Sequence, residues 1–165
     1  MEDKGKLHVT FVGNYFKGVS TAVEYRFGTG HLFNSLYEGV QRGVNTLMGA
    51  EVLVESSVFD GAKDAVLSTS ESEGSGSGGT GRATLVDVVL GGAGSTAPKG
   101  EMNAESVPYP YDWYVLPSDA VRESVERGSG ARLHYIEPIK WGEEEIAERE
   151  GRAPPWVSGG GHDHP

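Results

Sequence analysis

The histidines, at positions 8, 31, 134, 162 and 164, are the first places to look for chemistry. His162, Asp163 and His164 stand close together, and two imidazoles with a carboxylate can make a divalent-metal ligand set. They follow Gly159, Gly160 and Gly161 at the end of the chain, where nothing holds a geometry, so no metal is expected. His8 and His134 alternate out of apolar strand faces, as solvent-facing or satisfied imidazoles do. His31 falls in the first turn of a predicted helix, where the helix dipole disfavours the charged ring. Acid–base catalysis needs two carboxylates held in one pocket with separated pKa values. Glu24, Glu38, Asp87 and Glu137 are the acids inside predicted elements, and they read as surface groups.

Nucleophile patterns are absent: there is no G-x-S-x-G, no H-E-x-x-H and no cysteine. Without cysteine there is also no disulfide framework and no thiolate metal site. Gly74, Gly76 and Gly79 form a G-x-G-x-x-G, but the nucleotide fingerprint needs a strand before it and a helix after it. Here Glu71 and Glu73 precede it and a strand-like segment follows, so it reads as a flexible loop. No catalytic residue, no cofactor and no enzyme activity is therefore expected. The residues that remain are interface candidates. Tyr109, Tyr111, Trp113 and Tyr114 form a dense aromatic group that either packs in a core or stacks a sugar, a base or a partner.

Composition narrows the class. The chain has 165 residues with a formal charge of −10, 25 glycines and 8 prolines. Glycine and proline in this proportion imply much turn and loop. Fourteen scattered Lys and Arg among 24 acids argue against nucleic-acid binding over the whole surface. No run reaches the roughly 18 apolar residues of a membrane helix, and Met1 to Lys6 lacks a signal peptide's apolar segment. A soluble protein that is not exported by that route is expected.

The elements that must position these residues follow from periodicity. Leu7, Val9 and Phe11 alternate as a strand. From 19 to 27, Val19, Thr21, Val23, Tyr25 and Phe27 face one way and Ser20, Ala22, Glu24 and Arg26 the other. Turn residues Gly13 to Gly18 between the two predict a β-hairpin. Leu32, Phe33, Leu36, Tyr37, Val40, Val44, Leu47 and Met48 recur at three and four, which predicts an amphipathic helix over 30–48 with Thr29 as N-cap and Gly49 as its stop. Gly39 and Gly43 each cost such a helix roughly 1 kcal/mol relative to Ala, so a close strand or a subunit contact is expected on that side.

Strands are predicted at 52–58 and 83–90, paired across a long excursion, and at 112–116. A helix follows from Pro117 to Gly128, then a strand at 133–139 and a short helix at 141–149. No internal repeat is evident. The expected fold is a single α+β domain over 1–150, an antiparallel sheet or sandwich with one main amphipathic helix, two short helices and long glycine-rich loops. Residues 151–165 read as a flexible tail.

Thr29, Gly30, His31, Leu32, Phe33, Asn34, Ser35 and Leu36 resemble the T-G-x-L-x-x-S-[IL] motif of the tail-completion, or neck, proteins of long-tailed viruses of bacteria and archaea. Tyr114 with Glu126, Arg127 and Gly128 loosely echoes a later element of that family. The resemblance implies a non-enzymatic ring subunit between head connector and tail tube. It implies a homo-oligomer with other virion structural proteins as partners, located in the virion, without cofactor, membrane or specific nucleic acid. Two further readings stand beside it: a small module binding a carbohydrate or peptide through residues 109–114, and a hydrolase whose acids the sequence does not place.

Overall fold

The computed structural model describes residues 5–69, 79–107 and 113–130. The predicted strand at 133–139, the helix at 141–149, the tail, His134, Glu137, the 162–164 trio, Gly74, Gly76, Tyr109 and Tyr111 lie outside them. The chain divides into two units, residues 1–109 with 115–130 and residues 110–114 with 131–165. Of the second unit only Trp113 and Tyr114 are described, in irregular backbone.

The first unit is a stack of coils. The first coil runs β1 (His8–Val12), β2 (Tyr15–Lys17) and β3 (Thr21–Arg26). The second runs β4 (Thr29–Phe33), β5 (Leu36–Glu38) and β6 (Arg42–Leu47). In the third, β7 (Glu51–Asp60) spans what were two strands before, and β8 (Asp64–Ser68) follows. The fourth holds β9 (Arg82–Val89) and β10 (Gly94–Ser95). Each strand pairs with the equivalent strand of the next coil, and every pairing between these strands is parallel. His8 lies opposite Thr29 and Thr29 opposite Glu51, so one coil takes 21 and then 22 residues. Glu51 lies opposite Arg82, 31 residues on, because the segment 69–81 is inserted in that coil. Two parallel sheets result, β1-β4-β7-β5-β2 with β9 beside β7, and β3-β6-β8-β10.

This arrangement corrects the antiparallel α+β expectation. β1 and β3 do not form a hairpin, because successive strands of a coil enter different sheets or different parts of one sheet and find their partners a full turn away. The segments 51–58 and 83–90 do pair, but in parallel. No helix covers 30–48. That segment is β4, β5 and β6, and its apolar spacing mimics a helix because each corner resets the alternation of a strand. The inward residues Leu32, Tyr37, Val40 and Val44 then fall three to five apart. An internal repeat also exists: Asn14-Tyr15-Phe16-Lys17-Gly18, Ser35-Leu36-Tyr37-Glu38-Gly39 and Ser57-Val58-Phe59-Asp60-Gly61 occupy equivalent places.

Corners carry the backbone strain. Gly13, Asn34, Ser56 and Asp87 take one position in successive coils, all with positive φ, at 64°, 52°, 38° and 50°. Asn and Asp tolerate this region better than most side chains. Gly39, at φ 60°, turns the next corner. Gly43 is required for a different reason. A Cβ there would overlap the Phe59 ring and the Ala65 carbonyl.

The interior is filled by columns of like residues. Phe16, Tyr37 and Phe59 stack face to face, with centroids 5.0 and 4.3 Å apart and rings within 18° and 11° of parallel. Offset aromatic stacking of this kind adds to plain burial. The Tyr37 hydroxyl is buried without a hydrogen-bond partner, and burial pushes its pKa up.

One helix, α1 (Ser118–Gly128), packs Val121 and Val125 outside the coils against Leu36 and Val58. The corner row holds the approach to it. Asn34 Oδ1 accepts from the Leu116 amide at 2.9 Å, the Ser56 hydroxyl donates to the Leu116 carbonyl, and Asp87 accepts from the Ser118 amide at 2.9 Å and its hydroxyl at 2.8 Å.

Gly43→Ala should destabilise the protein by about 1–3 kcal/mol in urea unfolding, since the added methyl overpacks the coil. A helix over 30–48 would instead gain roughly 1 kcal/mol from the same change. Tyr37→Phe should stabilise by about 1 kcal/mol in the same measurement, because it removes a desolvated hydroxyl that nothing satisfies.

Candidate functional site

Three polar groupings lie on the outside of the coils. The most buried joins His31 of β4 to Glu55 of β7, Nε2 to Oε2 at 2.7 Å, with side chains 0 % and 8 % exposed. The His31 ring stacks on Phe33 at 4.6 Å. His31 was expected in a helix turn. On a strand, and closed from solvent, it ties two coils together and cannot meet a large substrate.

The second grouping runs across three coils beside α1. Lys17, Glu38 and Asp60 stand in register. Lys17 pairs with Glu38 at 2.6 Å, and Tyr15 donates to Glu38 at 2.7 Å. Arg122 of α1 meets Asp60 at 2.5 Å, Glu126 at 3.2 Å and Glu38 at 3.6 Å. The hydrogen bonds from Lys17 and Tyr15 hold the Glu38 carboxyl below its usual range, and Glu38 in turn raises Lys17. With three carboxylates around it, Arg122 is committed to holding the helix.

The third grouping is on the outer face of β3-β6-β8, and its guanidinium remains half exposed. Along β3, Val23 and Tyr25 turn inward, the Tyr25 hydroxyl donating to the Val9 carbonyl at 2.7 Å, so Glu24 and Arg26 turn outward. Arg26 donates from Nε and Nη2 to Glu24 Oε1 at 3.1 and 2.9 Å, with 50 % of its side chain exposed. Asn45 of β6 lies in register with Glu24 and reaches Thr69, where the inserted segment leaves β8. At the other end of that segment Gly81 donates to Ser68 Oγ at 2.8 Å, and the Ser68 hydroxyl donates to the Thr46 carbonyl at 2.8 Å. A cation on a flat strip of parallel strands, with coils roughly 4.8 Å apart, can engage an extended anionic chain.

The other expected positions are dispersed. Gly39 is at a corner and Gly43 faces inward on Phe59, both within the second coil. Glu24, Glu38 and Asp87 occupy three separate places, so they form no catalytic carboxylate pair with one another. Among the described residues no three His, Asp or Glu side chains are grouped to hold a metal ion, and no helix is long and apolar enough to cross a membrane. Sequence reasoning placed Glu24 and Arg26 on one strand face but did not single them out, and it missed Asn45. The usable signal was the opposite charges two residues apart on the polar side of a clean alternation.

Residues 1–133 match the family model described as pectate lyase. Among curated relatives, the probable pectate lyase A of Aspergillus fumigatus is 41 % identical over 135 residues, covering 81 % of this chain and 38 % of that protein. The pectate lyase A of Emericella nidulans is 40 % identical over 135 residues, covering 81 % and 37 %. The chain thus spans less than two fifths of the length of these relatives. Among solved structures, pectate lyase II from Xanthomonas campestris pv. campestris superposes with a TM-score of 0.60 at 24 % identity, over 75 % of this chain and 40 % of that one.

These findings overturn the resemblance to viral tail-completion proteins, which rested on a motif that is one strand and corner of a coil. The ring subunit, the virion partners and the virion location fall with it. So do the non-enzymatic expectation and the aromatic binding module, since the relatives are named for an enzymatic activity.

Asp87 offers a check on where the acids sit. Hydrogen bonds from the Ser118 hydroxyl and amide hold its carboxyl below the usual aspartate range, against a small opposing effect of burial. A depressed folded-state pKa means stabilisation that is present at neutral pH and lost as pH falls through that lowered value. Asp87→Ala should cost about 1 kcal/mol at neutral pH, the size of a lost helix cap. In urea unfolding the gap between variant and parent should close below the aspartate range.

Proposed function

Because the chain belongs to the pectate lyase family, we propose that it binds a polyuronate of the pectate kind along the outer face of β3-β6-β8 and takes part in its eliminative cleavage. Family membership supplies the class of reaction, and Arg26 supplies the place.

Elimination from a uronate polymer removes the proton on the carbon next to the carboxyl group and expels the glycosidic oxygen. A double bond conjugated with the carboxylate remains. Negative charge builds on the carboxyl group as the proton leaves, and a fixed cation lowers the cost of that charge. A guanidinium is suited to this, since its planar donors match a carboxylate and it stays protonated. Arg26 is oriented by Glu24 on the strand itself, so little ordering remains to be done when an anion arrives. The flat strip leaves room for sugar units on either side. The acids of the helix-side cluster and the closed His31–Glu55 pair offer no comparable cation to a polymer.

The test is incubation with polygalacturonate, following the ultraviolet absorbance of the conjugated product, with retention of the protein by the polymer as a second readout. Arg26→Ala should raise KM or weaken retention about tenfold, a loss of about 1.4 kcal/mol. Neither product nor retention from the unaltered chain would refute the reading.

A further inference from the structure

We infer that Asn45 is a positioning residue for Arg26, acting through Glu24; the inference rests on the polyuronate reading for its functional meaning but has a test that does not. Asn45 is the one residue that touches both the Arg26–Glu24 pair and the start of the inserted segment.

Asn45 stands on the outer side of β6, between Val44 of the core and Thr46, yet it is only 1 % exposed. A buried amide must have its polar atoms satisfied, and here they are divided between two neighbours. Its Oδ1 accepts from the Thr69 amide at 3.2 Å. Its Nδ2 donates to Thr69 Oγ1 at 3.0 Å and, in a longer contact, to Glu24 Oε2 at 3.4 Å. Glu24 then presents its other oxygen, Oε1, to both Nε and Nη2 of Arg26. One carboxylate oxygen faces Asn45 and the other faces Arg26. The carboxylate plane, and with it the guanidinium, is set by the amide behind it.

The chain of contacts crosses from the first coil to the second and on to the exit of the third. Without the amide, Glu24 is a half-exposed acid on an edge strand. Its torsions are then free, and the ion pair with Arg26 becomes an ordinary surface pair of little directional value. Burial fixes Asn45, so ordering Arg26 costs the polymer nothing when it binds.

Two variants separate this role from a structural one. Asn45→Ala removes both contacts. Asn45→Ser keeps a hydroxyl for Thr69 but is too short to reach Glu24, and it serves if the alanine variant does not fold. In the unaltered protein the Arg26 Nε proton should exchange slowly with water in nitrogen-15 side-chain spectra, and in either variant its exchange should quicken about tenfold, the effect of one lost restraint of about 1.4 kcal/mol. Unchanged exchange overturns the inference whether or not the polymer binds. With polygalacturonate, KM or the dissociation constant should rise severalfold in Asn45→Ser, with thermal unfolding unchanged, and the same substitution should add nothing in an Arg26→Ala background. An equal loss in that background would also overturn it. If the unaltered protein ignores the polymer, the polyuronate reading fails and the exchange measurement alone decides the positioning role.

Discussion

The register between successive coils is the constraint on which the rest depends. A strand of one coil finds its hydrogen-bonding partner 21 or 22 residues later, always parallel and always at the equivalent position. Because the side-chain period of a strand is two, a slip of one residue would turn every inward group outward. The Phe16, Tyr37 and Phe59 column locks that register from inside, since its rings stack only when the coils are aligned. The row of Gly13, Asn34, Ser56 and Asp87 locks it at the corner, where each coil must adopt the same strained turn.

Once like positions are superposed, polar groups are superposed too, and this produces the three outer groupings. Lys17, Glu38 and Asp60 form a charged row because they hold one position in three coils, and α1 uses that row through Arg122. His31 and Glu55 meet across one pairing, and Glu24 meets Asn45 across another. None of these contacts is local in sequence: their separations are 24 and 21 residues. The inserted segment at 69–81 breaks the repeat without breaking the register. Both of its ends are tied to β6 and β8. It therefore departs from the same outer face that carries Arg26.

Several misreadings share one cause. The apolar residues from Leu32 to Met48 carry a spacing of three and four that belongs to a helix when read along the chain. In a coil the same spacing arises from short strands of three to six residues joined by corners that each shift the alternation. The T-G-x-L-x-x-S-[IL] likeness fell on the same stretch, and it reflects β4 and its corner. The repeat of Asn-Tyr-Phe-Lys-Gly, Ser-Leu-Tyr-Glu-Gly and Ser-Val-Phe-Asp-Gly was present in the letters, but it is a similarity of types rather than of identities.

Local properties were legible without coordinates. The alternation that places Glu24 and Arg26 on one side of β3 was visible, as were the face of α1 that buries Val121 and Val125 and the lack of thiol chemistry. These depend on neighbours one to four residues apart. Strand direction, the burial of His31 and the union of Glu24 with Asn45 were decided only in three dimensions. Each is set by a hydrogen-bonded partner a whole coil away, and no short-range pattern distinguishes a strand that pairs with its neighbour from one that pairs with its next turn.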